Sequence, residues 1–256
     1  MKSKFLDLKN KNVIITGGNG FLGKQISNAF LNQGSNVFIL DVRKSKLNNK
    51  INFFRTDVTK ETELIKVLSI FKKKKIKIDV LINSATKDYI PTTKKNKKLY
   101  LENFSNRTWF EDLNIGLTGS YLATKIFGSY MVKKNGGAIL NISSDLGIVA
   151  PNQDIYNKSN FVKPVSYSVV KHGIIGLTKY TAGYWAKKKI RCNAIAPGGI
   201  YNNQDKNFIN EIKKIIPIGR MAKKNEYNDL VLFLCSPSSS YITGSVVVAD
   251  GGRTII

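Results

Sequence analysis

A short apolar run at residues 13–16 ends in Thr16-Gly17-Gly18-Asn19-Gly20-Phe21-Leu22-Gly23, and an amphipathic helix pattern starts at once, from about residue 21 to 32. A buried strand turning through glycines straight into a helix is the opening of a βαβ unit. Units of this kind build parallel sheets covered by helices on both faces. The rest of the chain repeats the alternation. Strand-like runs fall at 36–41, 51–56, 78–83, 138–143, 190–196 and 245–249, with helical patterns at about 62–73, 109–133, 167–186 and 226–235. A polar stretch at 86–106, containing Pro91 and several lysines, reads as a loop or partly helical excursion. Neither a repeat nor a linker divides the 256 residues, so one α/β domain with a doubly wound parallel sheet is expected over 1–256.

Composition removes several function classes. The formal charge of +24 rests on 41 basic residues, of which six are arginine (43, 55, 107, 191, 220 and 253), leaving 41 − 6 = 35 lysines. Lysines scattered among many asparagines do not form an arginine-based phosphate reader, so no nucleic-acid partner is expected. No apolar run approaches the roughly 18 residues of a membrane span, and the charged start Met-Lys-Ser-Lys-Phe-Leu-Asp-Leu-Lys argues against a secretory signal. Cys192 and Cys235 are too few for a disulfide framework and lack metal-ligand spacing. With His172 the single histidine, a histidine-based metal site or a Ser-His-Asp triad is not expected. These features suit a reducing, cytoplasmic compartment.

The glycine turn carries the first chemistry. Gly17, Gly20 and Gly23 let the backbone turn tightly and approach a pyrophosphate, which the helix N-terminus then stabilises. Asp41 closes the second strand, 41 − 17 = 24 residues after the first glycine. A carboxylate there accepts hydrogen bonds from the adenosine ribose hydroxyls and repels a 2′-phosphate, which favours NAD. Nearby Arg43 points the other way, towards NADP.

A second pattern lies on a later helix. Tyr167 and Lys171 are four residues apart in Ser-Tyr-Ser-Val-Val-Lys-His, so their side chains share one helix face. An ammonium beside a phenol is expected to favour the phenolate and bring a group of ordinary pKa near ~10 within reach of neutral pH.

Together with Asp57-Val58, Asn83-Ser84-Ala85, Asn141-Ile142-Ser143-Ser144, Pro197-Gly198-Gly199 and Asp250-Gly251-Gly252, these segments occur in the order of the short-chain dehydrogenase/reductase family. The resemblance covers almost the whole chain and implies a Rossmann domain acting on a secondary alcohol or ketone. It implies that Ser144, Tyr167 and Lys171 are catalytic, with Ser143 a strand-end residue. Cofactor contacts are implied for Gly17, Asn19, Gly20, Phe21, Leu22, Gly23, Asp41, Asp57, Val58, Asn83, Ala85, Tyr167, Lys171, Pro197, Gly198 and Ile200. Subunit pairing through the helices at 113–131 and 167–186 is likewise implied, as a homodimer or homotetramer.

Three departures stand out. Phe21 occupies a common glycine position, giving the spacing of the family's sugar-nucleotide branch. The gap of 167 − 144 = 23 residues between Ser144 and Tyr167 exceeds the family's by roughly ten, and the polar segment 151–165 is expected to help form the substrate pocket. Gly116 falls where the family has a catalytic Asn, with Asn114 two residues away, about 200° around a helix.

His172 reads as a packing or interface residue, and Tyr180, Tyr184 and Trp185 read as packing residues. The segments around 164–173 and 217–222 are similar to flagellin-modification-type dehydrogenases of bacterial surface-sugar clusters. That implies an anionic small-molecule substrate, an amino-sugar phosphate or nucleotide sugar, with Lys158, Lys163 and Arg220 as candidate contacts. Two alternatives stay open: an NADPH-dependent 3-oxoacyl or ketone reductase, and a dinucleotide-binding scaffold without turnover.

Overall fold

The computed structural model describes residues 6–44, 48–91, 97–159 and 161–256. The first five residues, part of the lysine run at 94–98 and the side chain of Lys158 lie outside the described residues. Strands β1 (Asn12–Thr16), β2 (Asn36–Asp41), β3 (Asn52–Arg55), β4 (Val80–Asn83), β5 (Gly137–Ile142), β6 (Ile190–Pro197) and β7 (Val246–Ala249) form one parallel sheet in the order β3-β2-β1-β4-β5-β6-β7. Alternate residues of each strand feed opposite cores, because side chains on a strand switch faces at every step. Ile14, Phe38, Leu40, Leu81 and Ile139 face one core; Val13, Ile15, Val37, Ile39, Val80, Ile82 and Leu140 face the other. Helices α2 (Glu61–Lys73) and α6 (Val165–Trp185) cover the first face; α1 (Phe21–Asn32) and α8 (Asn228–Cys235) cover the second. Both faces are therefore dry, as the near-continuous apolar strands require.

The long central helix is not the uniform element that its pattern suggests. Segments α3 (Asn106–Leu113), α4 (Gly119–Ala123) and α5 (Ser129–Val132) are joined by two wide π turns, Asn114–Thr118 and Thr124–Gly128. Two further elements escaped the sequence reading. The insertion holds a 3-10 run, Gln153–Ser159, and α7 (Lys206–Lys214) is capped by Asp205, whose carboxylate accepts from the amides of Asn207 and Phe208. These pieces make a separate apolar cluster of Leu99, Ile155, Tyr156, Phe161, Phe208, Ile212, Ile216 and Met221. Tyr156 stacks on Phe208 with ring centroids 5.1 Å apart and planes 10° apart.

The chain leaves β1 first towards β2 and β3, then returns to β4 on the opposite side. At that switch the connections diverge and open a crevice above the carboxyl ends of β1 and β4, where doubly wound sheets bind ligands.

Candidate active site

The crevice is a cavity of about 900 Å³, large enough for a dinucleotide and a small second ligand. Its floor is the turn after β1. Gly17 takes φ +65° there, and a Cβ at this position would sit 2.6 Å from the Ala85 Cα after β4. Only glycine meets both the dihedral and the close approach. Helix α1 then starts at Gly20 without a side-chain cap, leaving first-turn amides available beside cavity-lining Gly20, Phe21 and Leu22.

Gly17, Gly20, Phe21, Leu22, Gly23, Asp41, Asp57, Val58, Ala85, Pro197, Gly198 and Ile200 all line this cavity, as do Ser144, Tyr167 and Lys171. Two residues expected there do not. Asn19 lies behind Asp41: its amide donates to Asp41 Oδ2 at 3.0 Å, and its carboxamide reaches the Arg43 carbonyl. Asn83 turns its carboxamide into the core, donating to Asn141 Oδ1 at 2.8 Å and to Thr124 Oγ1 at 3.0 Å. As the last residue of β4, it follows the pleat into the sheet, while Ser84 and Ala85 reach the cavity.

Asp41 is 6% exposed at the far end of the crevice, with its two oxygens accepting from the amides of Asn19 and Arg43, each at 3.0 Å. The Arg43 side chain is 76% exposed, and its Nε stands 4.0 Å from Asp41 Oδ1. The buried carboxylate, not the guanidinium, is the fixed charge at this end. A free α1 N-terminus at one place and a held carboxylate at another are the donor and acceptor sets that a pyrophosphate and a ribose diol need.

At the opposite end, Ser144 follows β5, and Tyr167 and Lys171 lie about one turn apart along one face of α6. Lys171 is 3% exposed; its Nζ donates to the Ile142 carbonyl at 2.9 Å and stands 5.6 Å from the centre of the Tyr167 ring. Burial pushes this ammonium down to about 8. The phenol moves opposite to the sequence expectation. Withdrawal of Tyr167 from solvent, then the Asp88 carboxylate, raise it above its ordinary value, and the Ser144 hydroxyl opposes them only in part. Desolvation acts against both charged forms, and it outweighs the pairing that the Tyr-Lys spacing advertises.

Lys163 adds a second cation. Its Nζ sits 3.8 Å from the centre of the Tyr167 ring, pairs with Asp88 Oδ1 at 3.0 Å and donates to the Tyr89 carbonyl at 3.2 Å. Gln153 clamps its backbone, donating to the Lys163 carbonyl and accepting from its amide, each at 3.0 Å. The insertion thus brings Lys163 and Tyr156 to the cavity wall. Arg220 instead forks onto Glu226 at the surface. His172 is exposed, with Nδ1 3.0 Å from the Ser168 carbonyl. Trp185 packs on the core, but Tyr180 and Tyr184, expected to pack, are exposed and stack on each other at 5.7 Å, since the outer face of α6 has no neighbour among the described residues.

Gly116 is buried, and a Cβ there would stand 2.5 Å from Val170 Cγ1. Asn114, two residues earlier at the start of the same π turn, lines the cavity. Gly116→Asn is therefore expected to cost about 1–3 kcal/mol through overpacking, measured by thermal denaturation. Gly116→Asn with Val170→Ala should recover most of that loss; no loss in the single variant would show that the helix pair yields freely.

The family model described as Enoyl-(Acyl carrier protein) reductase matches residues 20–254. The 3-oxoacyl-[acyl-carrier-protein] reductase FabG of Thermotoga maritima is 31% identical, covering 97% of this chain and 99% of that protein. The chain belongs to the short-chain dehydrogenase/reductase family. It is an oxidoreductase of CH–OH groups that uses NAD or NADP. Post-translational flagellin modification protein A of Campylobacter coli is 28% identical, with 96% of this chain and 98% of that one covered. A short-chain dehydrogenase from Leptospira borgpetersenii, solved with bound NAD+, superposes with a TM-score of 0.88 at 30% identity, covering 96% of this chain and 93% of that one. Asp88, Asp145 and Arg253, all at the cavity wall, were missed in the sequence. Only their adjacency to the Asn83-Ser84-Ala85, Ser143-Ser144 and Gly251-Gly252 motifs marked them.

Proposed function

We propose that this dehydrogenase uses NAD to interconvert a secondary alcohol and a ketone on a small anionic sugar, an amino-sugar phosphate or nucleotide sugar. The observation that carries the cofactor choice is Asp41, a buried carboxylate held by two amides at the ribose end of the crevice. The amides of the α1 N-terminus would hold the pyrophosphate, Asp57 and Val58 would flank the adenine, and Pro197, Gly198 and Ile200 would cover the nicotinamide side. NAD, when bound, supplies the two-electron acceptor for hydride from the carbinol carbon. Tyr167 Oη takes the hydroxyl proton in oxidation and returns it in reduction, while Ser144 holds the reacting oxygen beside it. Lys171 would leave the Ile142 carbonyl for the ribose hydroxyls and so orient the acceptor. Similarity to the flagellin modification protein and the cation Lys163 in the chamber support the sugar reading.

Exposed Phe110, Tyr121, Tyr180 and Tyr184 on the outer faces of α3, α4 and α6 support pairing of subunits through these helices. Among the described residues no helix is long and apolar enough to cross a membrane.

A second reading, reduction of a 3-oxoacyl thioester with NADPH, draws on the FabG likeness and on exposed Arg43 beside Asp41. Separate fluorescence titrations with NADH and NADPH divide the two. NADH is expected to bind about tenfold or more tightly than NADPH, and Asp41→Asn should narrow the gap by removing the charge that opposes the 2′-phosphate. Tighter NADPH binding would put Arg43 in control and the reductase reading first; binding of neither would undo the cofactor assignment.

A further inference from the structure

The chain ends in a 3-10 turn, Arg253–Ile255, that follows the positive-φ glycines Gly251 and Gly252. Arg253 is 8% exposed and lines the cavity with Ser144, Asp145, Tyr156 and Tyr167. Among the described residues its guanidinium meets one partner: Nη1 donates to Asp145 Oδ2. The other Asp145 oxygen accepts from the Ser144 hydroxyl at 2.7 Å and from the Leu146 amide at 2.8 Å. The carboxylate is thereby engaged on both oxygens, whereas the guanidinium has donors left over. Arginine carries five N–H groups in a rigid fork and stays charged. The donors left over are open to the cavity, where a ligand's oxygen atoms can meet them.

The charges around Tyr167 indicate what kind of acceptor fits. Lys163, Lys171 and Arg253 are three cations, set against the two carboxylates Asp88 and Asp145. Lys163 pairs with Asp88 and Arg253 with Asp145, so Lys171 is the cation left without a carboxylate, and the surroundings of Tyr167 carry a net positive charge that favours a ligand group bearing negative charge.

We propose that Arg253 is a specificity-determining residue that binds a carboxylate or phosphate carried by the substrate near its reacting carbinol. Asp145 is the link that sets the distance: one side chain holds both the serine hydroxyl and the guanidinium. The oxyanion therefore sits close to the oxygen held by Ser144, which suits a compact sugar acid or sugar phosphate and not a carrier-bound acyl thioester. This assignment rests on the alcohol-dehydrogenase reading of the same chamber and narrows its substrate class.

Binding to the NADH-loaded enzyme tests it, with a six-carbon aldonate, a hexose 6-phosphate and the neutral hexitol as probes. The aldonate or the phosphate is expected to bind about tenfold or more tightly than the hexitol, and whichever does so names the group. Arg253→Met alone leaves Asp145 buried and unpaired, so the decisive variant is Asp145→Asn with Arg253→Met, which removes both charges. It should lose the preference for the anion while holding NADH within about twofold of the unaltered protein, and Arg253→Lys should retain part of the preference. Equal binding of anion and hexitol by the unaltered protein, or an unchanged preference in the double variant, would overturn the assignment. If NAD-dependent oxidation of neutral alditols persists in that event, the wider dehydrogenase reading survives. Loss of NADH binding and of all alcohol oxidation in the unaltered protein would sink that reading instead.

Discussion

Tyr167→Phe is expected to lower kcat by about 10²–10⁴ in both directions while leaving NADH affinity within about twofold. The substitution keeps the ring on which Lys163 rests at 3.8 Å and removes only the oxygen that exchanges the proton. Fold and cofactor site should therefore persist, and the loss should fall on turnover. A variant that kept a tenth or more of the activity would assign the proton transfer elsewhere.

The direction of the phenol's shift adds a pH signature to the same experiment. Withdrawal from solvent and the Asp88 carboxylate hold Tyr167 in its protonated form, ready to donate. Reduction of a ketone uses that form, whereas oxidation of an alcohol needs the phenolate. The unaltered enzyme should gain oxidation rate as pH rises through the alkaline range, with reduction lacking that gain, and Tyr167→Phe should show neither feature. Steady-state rates across pH in both directions check this.

Much of the cofactor half of the site was legible because it is local. The turn from β1 into α1, the carboxylate closing β2 and the Tyr-Lys pair on α6 each carry a signature within a few residues, although the contacts that hold them, such as Gly17 against Ala85 and Lys171 on the Ile142 carbonyl, are distant in the sequence. The alternation of Val13, Ile14 and Ile15 between two cores likewise follows from strand geometry alone. The substrate half joins distant parts of the chain. Asp145 and Arg253 are 108 residues apart, and Lys163 meets Asp88 across 75. No periodicity marks such pairs. Asn83 shows the converse: its motif lies at the crevice, but the pleat turns its side chain into the core. The sign of the Tyr167 shift was hidden for a related reason. Spacing reveals a neighbouring charge, whereas desolvation depends on everything else that surrounds the group.

Lys171→Met is the sharpest expression of that balance, because it should abolish activity and stabilise the cofactor-free protein together. Burial pushes Lys171 from 10.5 down to about 8, so its charged form is disfavoured by the fold. At about 1.4 kcal/mol per tenfold change, that depression costs about 3 kcal/mol wherever the group is protonated in both folded and unfolded chains. The sign follows from proton counts. Between about 8 and 10.5 the unfolded chain binds more protons than the folded one, so the cost is full below pH 8 and fades as pH rises. Methionine fills similar space without charge, but it strands the Ile142 carbonyl that now accepts from Nζ at 2.9 Å. Losing that bond costs about 1–2 kcal/mol, leaving a net gain of about 1–2 kcal/mol, or roughly 2–8 °C in melting temperature at pH 7. The gain should shrink as pH rises towards 10.5, and melting curves at pH 7 and pH 10 check both halves. A variant less stable than the unaltered protein at pH 7 would mean that the ammonium is stabilised where it lies, and that it does not wait at a cost for a ligand to reward its charge.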